Sequence, residues 1–165
     1  MPEQQTMERA RRAQREGKTP TTQAGEFVRE EMEHIRSGKH GARSTKQVIA
    51  IGLSRARRAG VNLPPPAKGK ASEKTRRGAA RAYAAGQKGQ LHKPAATRSR
   101  ATSRALKREG HQAASEAALS RQATAAARKR TPEERSAAAR KGMRKRTAAE
   151  RSASARKAAR TRWGR

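Results

Sequence analysis

The side chains of this chain that can do chemistry are overwhelmingly cations. Forty-two lysines and arginines stand against thirteen glutamates and no aspartate, a formal charge of +29 over 165 residues. The excess is uneven: residues 1–66 hold thirteen basic and seven acidic side chains, whereas residues 67–165 hold twenty-nine and six. Such a stretch repels itself and attracts polyanions, so the chemistry open to it is neutralisation of phosphate. Arginine outnumbers lysine twenty-nine to thirteen, which suits that task because a guanidinium is weakly hydrated and forks onto phosphate oxygens or into a narrow minor groove. A merely solubilising surface has no need of so few compensating acids.

Catalytic patterns are weak by comparison. Gly17-Lys18-Thr19 copies the end of a phosphate-binding loop, but Arg12 stands where the first glycine of that loop belongs, and no apolar strand precedes it. His34, His40, His92 and His111 are scattered. His34 and His40 can approach one another across a helix end, but two imidazoles without cysteine or aspartate make a poor metal site. Glu30, Glu31 and Glu33 are the carboxylates a paired site could draw on, and as charged side chains they are read on the solvent face of a helix. The absence of cysteine excludes disulfides and thiolate chemistry and agrees with a reducing compartment. The residues thus point away from an enzyme, with no catalytic residue, cofactor, metal or small-molecule substrate expected.

The elements that must position the cations are all helical. About a third of the chain is hydrophobic, much of it alanine, and Phe27, Tyr83 and Trp163 are the only aromatics, so one large core is not expected. Residues 3–17 read as a short charged helix with Met7, Ala10 and Ala13 on one side, broken by a segment containing Pro20. Residues 23–37 read as an amphipathic helix, because Ala24, Phe27, Val28, Met32 and Ile35 recur at spacings of three and four. Glu26, Arg29, Glu30, Glu33 and Arg36 fall opposite, and Gly38 is placed to end the helix in a left-handed cap.

Ser44-Thr45-Lys46-Gln47 has the form of a capping box and marks a second start. Val48, Ile49, Gly52, Leu53, Ala56 and Ala59 share a face, Arg55, Arg57 and Arg58 fill the last turns where the helix dipole favours cations, and Gly60 supplies the stop. A hairpin over 23–63 would bury Phe27, Val28, Met32, Ile35, Val48, Ile49 and Leu53, with Val61 and Leu63 folding back. Units of that size rarely stand alone, so the pair either dimerises or is covered by another helix of the chain.

A Pro/Gly-interrupted basic linker region follows at 64–96, then Ala/Arg-rich helices at 97–130. Residues 131–165 carry a sixteen-residue repeat, RTPEERSAAARKGMRK and then RTAAERSASARKAART, with a third copy begun at Arg162 and Trp163. Thr131 with Glu134 and Thr147 with Glu150 reproduce the capping-box spacing, and Pro132 sits at a first helical position. Arg140, Lys141, Arg144, Arg156, Lys157 and Arg160 lie in the C-terminal halves, as the dipole prefers. Helices of about fifteen residues are marginal in water, so folding of this tail is expected to be completed by its partner.

That partner is read as nucleic acid, with duplex DNA favoured over RNA because three scattered aromatics cannot build a base-stacking platform. The expected contacts are Arg140, Lys141, Arg144, Arg156, Lys157, Arg160 and Arg162, with Arg55, Arg57 and Arg58 as a second cluster. Membrane binding is not expected, since the face opposite the charge is mostly alanine and the longest apolar run is far too short to span a bilayer. The protein is expected to be cytoplasmic and nucleoid-associated. An RNA-binding or ribosome-associated protein, and an adaptor that uses the 23–63 hairpin, are the alternatives.

The stretch GEFVREEMEHIRSGKHGARSTKQVIAIGLSRARRAGVNLPPP, residues 25–66, resembles small basic bacterial proteins grouped as a domain of unknown function, some described as plasmid-stabilisation-like. The specific part is STKQVIAIGLSRARRAG, residues 44–60, where similar proteins carry a KQAIAIALS-ARxAG string. The resemblance implies a bacterial source and a helical hairpin, and no activity. Together these readings give an all-α protein: a small helical hairpin and an Ala/Arg-rich basic tail that is helical or partly disordered.

Overall fold

The computed structural model describes residues 3–89, 95–144 and 146–163, and these residues are all-α, without strands. His92 lies outside them. In chain order the helices are α1 (Gln4–Arg15), α2 (Pro20–Arg36), α3 (Thr45–Arg58), α4 (Glu73–Gln87), α5 (Ala96–Lys107), a single 3-10 turn (Gln112–Ala114), α6 (Glu116–Arg128), α7 (Pro132–Arg144) and α8 (Ala148–Trp163). The chain divides into two compact units, Met1–Gln122 and Ala123–Arg165.

In the first unit α2 and α3 form the hairpin, and each end of it is set by local chemistry. Gly38, at φ +76°, lets the Lys39 N–H reach the His34 carbonyl at 2.9 Å and its own N–H reach that of Ile35 at 3.1 Å. This is a Schellman closure, which needs a residue free to adopt left-handed backbone. Gly60, at φ +89°, closes α3 the same way through Val61 N–H to Ala56 and Gly60 N–H to Arg57. Ser44 caps α3 by accepting from the Gln47 N–H at 3.3 Å. The Gln47 side chain accepts from the Arg43 N–H instead of returning to Ser44, so only half of the expected box forms. Pro20 does not break the chain beyond one turn. It occupies the first position of α2, three residues before the predicted start, where a missing N–H costs nothing.

Phe27 is fully buried among Ala10, Ala24, Ala56, Val61 and Leu63, with Met7, Leu53 and Ala59 packed around them. A second apolar cluster joins Ile35, Val48, Ala42, Ala113 and Ala114, with Met32 beside it. Of the predicted core, Phe27, Ile35 and Val48 are buried, while Val28, Met32, Ile49 and Leu53 are half-buried. The helices cross closely because Gly52 offers no Cβ: one built there would stand 2.6 Å from the Val28 Cα. The cover for the hairpin comes from the chain itself, with α1 packed on α2, α4 packed on α3, and the 3-10 turn seated against both α2 and α3.

Beyond the Pro64–Lys70 stretch, the alanine-arginine segment Ser72–Ala85 of the region 64–96 forms α4 with its cap, and it is docked. Ser72 caps α4 by accepting from the Thr75 N–H, and Ala79 and Ala82 are its buried side chains. At Gly86 a Cβ would collide with the Arg57 carbonyl oxygen, so backbone lies on backbone there. The loop between α2 and α3 is held from the far side by α5 and its exit: Gly41 N–H bonds to the Leu106 carbonyl at 2.9 Å and Ala42 N–H to that of Gly110 at 3.0 Å. Arg36 Nε donates to the Ala114 carbonyl at 3.0 Å, and the Thr45 hydroxyl to that of Ala113 at 2.7 Å.

In the second unit α7 and α8 bury no side chain. Both predicted capping boxes form completely. Thr131 N–H donates to Glu134 Oε2 at 3.1 Å and Glu134 N–H to the Thr131 hydroxyl at 3.2 Å; the Thr147–Glu150 pair repeats this at 2.8 and 3.3 Å. No helix among the described residues is long and apolar enough to cross a membrane.

Candidate functional site

The second unit has no apolar face to pack, and its helices begin in identical caps sixteen residues apart. At about 100° per residue, Arg140, Arg144 and Lys141 fall within one arc of roughly 100° on α7. Arg156, Arg160 and Lys157 occupy the same arc of α8, since both helices share one register from their caps. All six are exposed, as are Arg162 and Trp163, the latter 87 % exposed. The acids sit at the opposite end of each helix. Glu134 and Glu150 are tied into caps, and Glu133 has its carboxyl held below the usual range by its own backbone N–H and then by the Thr131 hydroxyl. Each helix therefore presents cations over its C-terminal half without an acid to neutralise them.

The hairpin cluster behaves differently. Arg58 is exposed, but Arg57 is buried, its Nε donating to the Leu63 carbonyl at 3.0 Å and its Nη2 to that of Pro64 at 3.3 Å. Burial also pulls its pKa below the ordinary arginine value. Arg55 turns inward, with Nη1 3.0 Å from Glu31 Oε2. Two of the three predicted hairpin contacts are thus engaged inside the fold, and Arg58 alone faces solvent.

The carboxylate that receives Arg55 lies where the sequence reading does not place it. Glu30 and Glu31 are not on a solvent face: they are 1 % and 0 % exposed. Phe27, Glu30, Glu31 and His34 are spaced i, i+3, i+4 and i+7, the stripe that must turn inward once Phe27 does. Carboxylates on that stripe are therefore the legible signal. Glu30 Oε1 accepts the Glu3 backbone N–H at 2.9 Å. His34 Nε2 lies 2.9 Å from Glu3 Oε1, which also takes Lys39 Nζ at 2.9 Å. Those two bonds, Lys39 first, hold the Glu3 carboxyl down to about 2. Arg55 Nη1 approaches His34 Nδ1 at 3.4 Å, leaving Nε2–H to donate to Glu3. His40 lies 6.1 Å from His34, ring centre to ring centre, nearly edge-on. Its Nε2 is 3.4 Å from Glu31 Oε1.

Residues 5–68 match the sequence model of a family of unknown function (DUF6496). The match spans α1 through the segment following α3, the part of the chain that carries the hairpin and the buried carboxylates. No curated protein and no solved structure gives a significant match to the chain. The N-terminal helices are thus similar to a described family whose activity is unassigned, and the basic repeats lie beyond the matched residues.

Proposed function

We propose that this protein is a non-enzymatic accessory factor that binds duplex DNA with low sequence specificity, through phosphate neutralisation by its C-terminal repeats. The observation that supports the reading is the pair of equivalent cationic arcs on α7 and α8, each on a self-capped helix that buries nothing of its own. Fifteen lysines and arginines against three glutamates in residues 123–165 give that unit an excess of positive charge that attracts a polyanion. Arg140, Lys141, Arg144, Arg156, Lys157, Arg160 and Arg162 are the proposed phosphate contacts, with Arg58 as an outlying one. Such a protein would act in the bacterial nucleoid or in plasmid maintenance, as the sequence resemblance suggests.

Eight phosphate contacts give a log–log dependence of affinity on salt of about −7, at roughly −0.9 per contact. Fluorescence anisotropy with a labelled duplex from low to physiological salt measures it. Deleting residues 131–165 is expected to weaken binding to every duplex alike. Retained affinity at physiological salt after the deletion would move the site to the hairpin unit. Preferential displacement of the duplex by structured RNA would make RNA the partner.

A further inference from the structure

The geometry points to a divalent transition-metal site of the zinc class, formed by Glu31, His34 and His40 where the end of α2 meets the α2–α3 loop. The carboxylate and one ring nitrogen from each histidine lie within 4.8 Å of one another. Glu31 and His34 form a Glu-x-x-His pair on one helical face, the spacing by which helices offer a carboxylate and an imidazole to one ion. His40 comes from the loop that the Gly38 closure reverses.

Three features separate this cluster from an ordinary buried ion pair. First, His40 Nδ1 faces the Gly41 carbonyl at 3.2 Å, the bond that fixes a metal-bound imidazole with its other nitrogen unprotonated. The remaining lone pair then looks at Glu31 Oε1 from 3.4 Å, and neither atom has a hydrogen-bond partner although both are buried. A buried nitrogen and a buried carboxylate oxygen facing one another need either a proton or a metal ion between them. Second, ligands bound about 2.0–2.2 Å from a tetrahedral ion lie about 3.3–3.6 Å apart; the Glu31–His40 separation of 3.4 Å falls in that range, and a His34 ring nitrogen lies within 4.8 Å of both. Third, two buried carboxylates share one permanently charged partner. Glu30 and Glu31 are both buried, Arg55 supplies one positive charge near them, and Lys39 is paired with Glu3. Arg55 Nη1 reaches Glu31 Oε2 at ion-pair distance but not in hydrogen-bonding alignment.

The outer shell is in place as well. Glu3 accepts from His34 Nε2, leaving Nδ1 on the side of Arg55, whose Nη1 is in turn 3.0 Å from Glu31; a ligating Nδ1 would give the carboxylate–imidazole–metal order found around bound zinc. Ligation through Nδ1 requires Arg55 to give up its 3.4 Å approach to that nitrogen while keeping Glu31. A second group, Glu3, Glu30 and His34, is equally close, but His34 Nε2 is already bonded to the Glu3 carboxylate and Glu30 Oε1 to the Glu3 N–H, which leaves, of its buried atoms, only Glu30 Oε2 without a partner among the described residues. Three protein ligands leave a fourth position for water. The ion would fasten α2 to its following loop in a unit whose apolar core is small.

Titrating Co2+ into chelator-stripped full-length protein tests this, with the visible d–d absorption as the signal of imidazole and carboxylate ligation. The expected result is saturation at one Co2+ per chain, displacement by Zn2+, and a higher melting temperature with either ion. His40→Ala changes only a loop side chain and should abolish saturation while far-ultraviolet circular dichroism stays unchanged. Glu3→Gln should weaken affinity about tenfold, the usual effect of losing an outer-shell partner. No saturable binding by the unaltered chain at micromolar ion overturns the proposal and assigns the charge between Glu31 and His40 to a proton. Saturation undiminished in His40→Ala overturns it equally.

Discussion

Arginines that look alike in the sequence do different work, and the difference is measurable one side chain at a time. Arg57 and Arg58 are neighbours at the end of α3, yet one holds two carbonyls inside the fold and the other faces water. Arg57→Ala leaves the Leu63 carbonyl without its donor and should cost about 1–3 kcal/mol in urea unfolding, with the salt slope for DNA unchanged. Arg58→Ala should leave stability within about 0.5 kcal/mol and make the slope shallower by about 0.9. If the two variants behave alike, the separation between a structural and a phosphate-facing arginine is wrong. Neither role was readable from residue type. A run of cations at a helix end satisfies the dipole wherever its side chains point, and only the return of Leu63 and Pro64 over α3 decides which one is enclosed. Glu30 and Glu31 are the mirror case: their type suggested solvent, while their spacing from Phe27 placed them inside.

At the level of elements, the stops and caps were legible because they depend on a few adjacent residues. Gly38, Gly60, Ser44 and the Thr131–Glu134 and Thr147–Glu150 pairs each act within one turn of their own helix. Pro20 was misread because the same ring that breaks a helix interior also starts one. The docking of α4 and of Ala113 and Ala114 was hidden for another reason. Alanines and a bare Gly86 carry little apolar signal, and their partners lie far away in the sequence. The tail helices have caps but no packing, so a peptide covering residues 131–165 should show low helicity by circular dichroism alone and a clear gain on adding duplex. No gain would reject folding coupled to binding. The helicity gained should also depend on pH. Because the Glu133 carboxyl is depressed in the helix, its contribution is fully present above the ordinary carboxylate pKa and is lost as pH falls through the lowered value.

For the molecule as a whole, the division of labour follows the distribution of apolar side chains. Residues 1–122 contain every buried side chain, and residues 123–165 contain none among those described. The hairpin finds its cover in α1, α4 and the 3-10 turn, so burial of its core does not require a second copy of the chain. The two helix starts of the tail were legible, since each copy of the repeat carries its own cap. The buried Glu and His groups were not, because His40 meets Glu31 only after Gly38 has turned the loop back. The two complete capping boxes carry a last consequence. Because each copy starts its own helix and leans on no neighbour for burial, the proposed binding to DNA would make the number of copies a dial for grip on the polymer. Excising residues 146–161 should leave the first helix able to form and remove three of the proposed phosphate contacts, changing the salt slope by about 3. Lengthening or shortening the array would then tune residence on DNA in steps, without redesigning the folded head.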